Sequence, residues 1–173
     1  NLLHRRINFF YYPTSWLTIG IQERSRFIQG NTVVKFPGYG QMIGADPGWI
    51  DLTFADEGSY SDSAGYVYTS MLDRVYAEFT FGNFVGTVGR QRINWGQAFA
   101  WNPNDIFNTY SYFDVDYPER QGSDAIRLQY YTGMTSSFEV AAKLDSADKL
   151  TAAAYYRFNA GNFDIQLLVG TLA

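Results

Sequence analysis

Apolar and polar residues alternate with a period of two along much of the chain, in segments of about ten residues, the length a tilted membrane-crossing strand needs. In 162–170, Phe163, Ile165, Leu167 and Val169 share one face, and Asp164, Gln166 and Leu168 the other. In 149–158, Leu150, Ala152, Ala154, Tyr156 and Phe158 oppose Thr151, Tyr155 and Arg157, and in 125–131, Ile126, Leu128 and Tyr130 oppose Arg127 and Gln129. The pattern predicts about eight strands, starting near residues 1, 16, 66, 84, 122, 136, 150 and 163. Helix signals are sparse. The best is 102–108, where Asn102 would cap a single turn with Pro103 at its first position.

The connections alternate as well. Short turns are expected at 13–15, 82–83, around 133–135 and at 159–162, and longer links at 31–65, 98–121 and 144–149. Short turns on one rim and long loops on the other is the arrangement of a membrane-spanning barrel. Aromatic residues flank the short turns (Tyr11, Tyr12 and Trp16; Phe81 and Phe84; Tyr130 and Tyr131; Phe158 and Phe163), as a girdle at one membrane interface requires.

Register arguments sharpen this for three hairpins. A tight turn at 13–15 sets His4 against Arg24 and Arg6 against Gln22 on the polar face, and Ile7 against Ile21 and Phe9 against Ile19 on the apolar face. Arg5 then meets Glu23, two charges that interrupt the apolar face about 20 Å up the wall, near the far edge of an apolar band about 25 Å tall. Around 82–83 two registers compete. A two-residue turn pairs Asp73 with Arg92, whereas a three-residue turn pairs Arg74 with Arg92. The second is preferred, because it keeps Arg74, Glu78, Arg90 and Arg92 together and leaves Val75, Ala77, Phe79 and Phe81 for lipid, with a bulge at Gly89 to accommodate Gln91. In the last hairpin Phe158 is set against Phe163, which brings Arg157 opposite Asp164.

Composition fits a membrane barrel. Phe, Tyr and Trp make up 18% of the chain, more than a soluble core of 173 residues needs. No run of about 18 apolar residues suggests a membrane helix. There is no cysteine, and His4 is the only histidine, which disfavours zinc chemistry and any disulfide framework. A net charge of −4 argues against nucleic acid as a partner. Only Lys35, Lys143 and Lys149 of the 13 basic residues are lysine, so arginine, with its planar fork, dominates.

In a barrel the polar strand faces point inward. Arg6, Arg24, Arg26, Arg74, Arg90, Arg92, Arg127 and Arg157 would then line a lumen, a row of fixed cations that favours anions over cations. The competing reading pairs these arginines with Glu78, Glu139 and Asp164 to fill the interior. The loop 113–124, with Asp114, Asp116, Glu119 and Arg120 among aromatic residues, either folds inward and narrows the pore or meets solvent or a partner. Asp46 and Asp62 offer oxygens for calcium, but without the spacing of an EF-hand loop. No nucleophile elbow, phosphate loop or metal-ligand spacing marks an enzyme. No cofactor is implied.

The run GRQRINWGQAFAWNPNDIFN at 89–108, continued by FDVDYPERQGSDAIRLQYYTG at 113–133, resembles porin-like outer-membrane β-barrel proteins of Bacteroidota, and 2–27 is similar to their opening hairpin. The Gly-Arg-Gln-Arg core is shared more loosely with alginate-export-type porins. The resemblance implies the outer membrane of a Gram-negative bacterium, with outer-membrane lipid, small polar or anionic solutes and other outer-membrane proteins as partners. Barrels of this kind generally end in an aromatic-terminated strand, whereas this chain ends Gly170-Thr171-Leu172-Ala173. The expected fold is therefore all-β, a transmembrane antiparallel up-and-down barrel. Residues 1–173 would form a single domain that is an incomplete portion of a barrel of about 14 to 18 strands. The expected function is a porin-like channel for passive or selective diffusion. The alternatives are a non-conducting structural barrel subunit of an outer-membrane assembly and a soluble, lipocalin-like barrel.

Overall fold

Nine antiparallel strands form one open sheet in the computed structural model, which describes residues 1–36, 38–46, 48–61, 64–95, 106–107 and 122–171. The strands are β1 (Leu2–Thr14), β2 (Leu17–Gly30), β3 (Thr53–Ser61), β4 (Ala64–Phe81), β5 (Phe84–Gln91), β6 (Ser123–Tyr131), β7 (Ser137–Leu144), β8 (Leu150–Ala160) and β9 (Phe163–Thr171). Their order is β1-β2-β4-β5-β6-β7-β8-β9, with β3 paired to β4. The extra strand relative to the sequence expectation is β3, inside the link expected over 31–65. It shares one edge of the 18-residue β4 with β5: β3 pairs with Ala64 to Met71 and β5 with Val75 to Phe81. Two short helices, α1 (Asn31–Lys35) and α2 (Tyr39–Ile43), precede β3. The helical turn expected at 102–108 falls almost wholly outside the described residues.

The tight turns Ser15–Trp16, Gly82–Asn83 and Gly161–Asn162 and the connection 132–136 lie at one end of the sheet. β2, β5 and β7 run out at the other end, where β4, β6 and β8 begin. Trp16 stacks on Phe81 at the short-turn end, with ring centroids 5.5 Å apart.

Three registers differ from expectation. The β1–β2 turn is Ser15–Trp16 rather than 13–15, so His4 stands opposite Arg26, Arg6 opposite Arg24 and Phe9 opposite Ile21. A slip of two residues preserves which face each side chain takes. Hence the expected neighbours survive as diagonals: Arg24 Nε donates to His4 Nε2 at 3.2 Å, Arg6 Nη2 to Gln22 Oε1 at 2.7 Å, and Arg5 stays 3.6 Å from Glu23. In β8–β9, Phe158 faces Ile165, Arg157 faces Gln166, and Asp164 faces Asn159. The expected Arg157–Asp164 pairing is therefore replaced by a hydrogen bond from Asn159 Nδ2 to Asp164 Oδ1. Again the slip is by two and the faces hold.

The third difference changes the chemistry. β4 and β5 meet through the two-residue turn, with Phe81 opposite Phe84 and Val75 opposite Arg90. This is one residue away from the preferred three-residue alternative, and a one-residue slip turns every β5 side chain to the other face. A bulge at Asp73, between the Gln22–Arg74 and Glu23–Leu72 pairs, keeps Arg74 on the face of Arg24. Val75 therefore still shares the apolar face with Val88 and Ile126, but Arg90 joins them while Gln91 turns to the polar face.

The two faces differ sharply. One carries Phe9, Phe81, Tyr130, Phe138, Phe163 and Val169, each 44–73% exposed. A half-exposed aromatic ring leaves about 100 Å² to solvent. Five such rings alone reach the range of about 300–600 Å² that holds for the largest apolar patch of a typical soluble monomer. The opposite face buries Gln22, Arg24, Arg26, Thr69, Thr87, Gln129 and Glu139. A soluble sheet protein would place these sets the other way round.

Candidate functional site

The polar face is covered at two places. Over β2 and β4, Val33 of α1 and Ile43 of α2 pack on Val67, and Arg26 Nη2 donates to the carbonyl of Ile43 at 2.6 Å, satisfying an orphan acceptor at the end of α2. Both oxygens of Glu57 accept from the backbone N–H groups of Gly38 and Gly40. Nearby, Arg6 lies 3.3 Å from the fully buried Asp73.

The second covering sits on β6, β7 and β8. Ala125, Ala141 and Ala153 form a floor of small side chains, and onto it fold Ile93 and Trp95, from just beyond β5, and Phe107. Trp95 stacks on Tyr155, centroids 5.3 Å apart and planes 10° from parallel, and meets Phe107 edge-on at 4.9 Å. Buried indole N–H groups need an acceptor, and here it is Glu139 Oε2 at 2.7 Å. The same oxygen accepts from Arg127 Nε at 3.0 Å and Nη2 at 2.6 Å. The carbonyl of Phe107 accepts from Ser123 Oγ and Lys143 Nζ, both at 2.5 Å.

Beside this cluster a polar cavity of about 260 Å³ opens, lined among others by Asn94, Arg127, Gln129, Ser137, Tyr155 and Arg157. Arg157, opposite Ser137 in register, has a buried Nε with no hydrogen-bond partner. Arg92, just past the end of β5, has the same buried and unpartnered Nε.

Arg90 is the correction among the residues expected to line a lumen. All five of its N–H donors are occupied: Nε by Asp124 Oδ1 (2.9 Å), Nη1 by Asp46 Oδ2 (2.5 Å) and the Leu72 carbonyl (3.4 Å), and Nη2 by the Ile50 carbonyl (2.5 Å) and Asp124 Oδ2 (2.9 Å). The guanidinium is 3% exposed, so it presents no charge to a lumen. It fastens the segment 46–52 across the upper end of the apolar face. From there Gly48 bridges to Asp145, and Trp49 Nε1 donates to Asp148 Oδ1 at 3.0 Å. A Cβ at Gly48 would lie 2.1 Å from Arg90 Nη2, which explains the glycine. Asp46, considered for calcium, spends its oxygens on Arg90 and on the N–H groups of Gly48 and Leu52. Asp145 lies in the turn beyond β7, where the N–H groups of Lys149 and Ala147 hold its carboxyl below the usual carboxylate range.

Of the other arginines, Arg6, Arg24, Arg26, Arg74, Arg127 and Arg157 share the polar face, where Arg6 is engaged by Gln22 and Asp73, Arg24 by His4, Arg26 by Ile43 and Arg127 by Glu139, and Arg74 too has interactions. The candidates Asp114, Asp116, Glu119 and Arg120, and also Asp62, lie outside the described residues. Glu139 pairs with Arg127, as the competing reading of the arginines expected for that carboxylate, whereas Trp95 as a further donor to it was not singled out from sequence. The available signal was the row of three alanines on a polar face, which marks room for a large side chain. Comparison with family models, curated proteins and solved structures gives no match.

Proposed function

We propose that the chain forms part of the wall of a porin-like outer-membrane β-barrel, through which small polar or anionic solutes diffuse past inward-facing arginines. One observation carries this reading: the sheet is inverted relative to a soluble one, with its broad apolar face uncovered and its arginines and amides on the opposite face, the one that Trp95 and Phe107 cover. Lipid is the solvent that suits such a face, and membrane-spanning sheets satisfy their backbone by closing into barrels. The motif resemblance of 89–133 to porin-like proteins of Bacteroidota supports the same class. The tight turns Ser15–Trp16, Gly82–Asn83 and Gly161–Asn162 share one end of the sheet, which agrees with barrel topology.

A second reading is a non-conducting structural barrel. It is favoured by the side chains already packed on the polar face, Trp95 and Phe107 on one side and α1 and α2 on the other. Planar-bilayer recording of the full-length protein separates the two. Channel current with a reversal potential favouring anions, shifted toward neutrality in Arg157→Ala, is the expected result. Absence of current from folded protein would leave the structural reading.

A further inference from the structure

An anion crossing a lumen is selected where a cation is not already neutralised by a protein carboxylate. The cavity beside Trp95 offers such a place. Arg127 is spent on Glu139, at 2.6 Å, so these two charges cancel locally, and Arg157 leaves the cavity with a net positive charge. Buried Gln129, Ser137 and Tyr155 contribute an amide and two hydroxyls to the same cavity. None of these three side chains is engaged in a hydrogen bond among the described residues, and none has a polar atom sealed away from the cavity without a partner. They stand ready for a guest. The volume of about 260 Å³ corresponds to roughly eight or nine waters at about 30 Å³ each, which suits an organic ion of a few carbons.

We propose that this cavity is a binding subsite for a small hydroxylated organic monoanion, its carboxylate held by the Arg157 guanidinium and its hydroxyl groups by Gln129, Ser137 and Tyr155. Arginine presents paired N–H groups that match a carboxylate, and hydrogen bonds to a charged group are stronger than neutral ones. The neighbouring Arg127–Glu139 pair fixes Trp95, which makes the indole a reporter of occupancy. The subsite deepens the channel reading and rests on it for its role, but binding itself can be read without current.

The test uses full-length protein in detergent with Trp95 as the sole tryptophan of residues 1–173 (Trp16→Phe, Trp49→Phe, Trp101→Phe). Its fluorescence is titrated at constant ionic strength with glycerate, acetate and glycerol. A saturable response to glycerate, a weaker one to acetate and none to glycerol is expected. Arg157→Gln should weaken glycerate binding by about tenfold or more, and Ser137→Ala severalfold, with the ligand-free Trp95 spectrum unchanged in both. No saturable glycerate response, or one that Arg157→Gln leaves intact, overturns the subsite. Binding in a barrel that carries no current would retain the subsite and sink the channel. Anion current without binding would do the reverse.

Discussion

Arg90 and Arg157 belong to two regions that use the same side chain for opposite ends. At the upper rim, Arg90 has an acceptor for each of its five donors and two buried carboxylates around it. In the polar cavity, Arg157 has a buried Nε with no partner among the described residues, and it shares the cavity with Gln129, Ser137 and Tyr155, whose side chains make no hydrogen bond among them either. A guanidinium saturated by protein oxygens acts as a fastener. One left short of acceptors is suited to a visitor. The difference shows that an arginine count along a polar face does not measure the charge a lumen would present, because partner assignment decides which cations remain.

Substitution should separate the two regions. Arg90→Ala strands Asp46 and Asp124 in a site where they are 4% and 11% exposed, and loss of one partner from a buried ionic cluster costs about 3–5 kcal/mol. Chemical unfolding in detergent should show that loss, and a change below about 1 kcal/mol would mean that the rim cluster is not a fastener. Gly48→Ala places its Cβ 2.1 Å from Arg90 Nη2 and 2.6 Å from Asp124 Oδ2. The intermediate cost expected is about 1–3 kcal/mol, typical of overpacking, and the double variant with Arg90→Ala should be clearly less than additive. Arg157→Gln should have the smallest effect on stability, within about 0.5 kcal/mol, since no ion pair among the described residues is broken. A loss as large as that of Arg90→Ala in the same assay would erase the contrast.

Much of the sheet was legible because strand faces follow a period of two, and slips of two residues leave them unchanged. His4, Arg6 and Arg24 kept their face although the first turn moved to Ser15–Trp16. Arg157 kept its face although Asp164 moved away. The β4–β5 hairpin failed for the complementary reason: two turn lengths differed by one residue, and local pattern favoured the wrong one. The bulge at Asp73 was the missing device. It changes the phase of β4, so that Val67, Thr69 and Met71 share a face with Arg74, which no uniform alternation can give. β3 was hidden for another reason. Its sequence, TFADEGSYS, has mixed polarity, and only the upper half of β4 reveals its place. The cavity was less legible still, because Trp95, Glu139 and Tyr155 come together from three separate segments.

The rim fastener also has a consequence in time. Its bonds join Arg90 to residues 18, 34, 40 and 44 positions away, drawn from three other stretches of chain. Neighbouring hairpins close small loops and can zip early, whereas a contact of this kind waits until several strands have been brought together. The segment 46–52 is therefore expected to seat late in folding and to detach before the hairpins separate, so that its release would mark the first stage of disassembly at the rim.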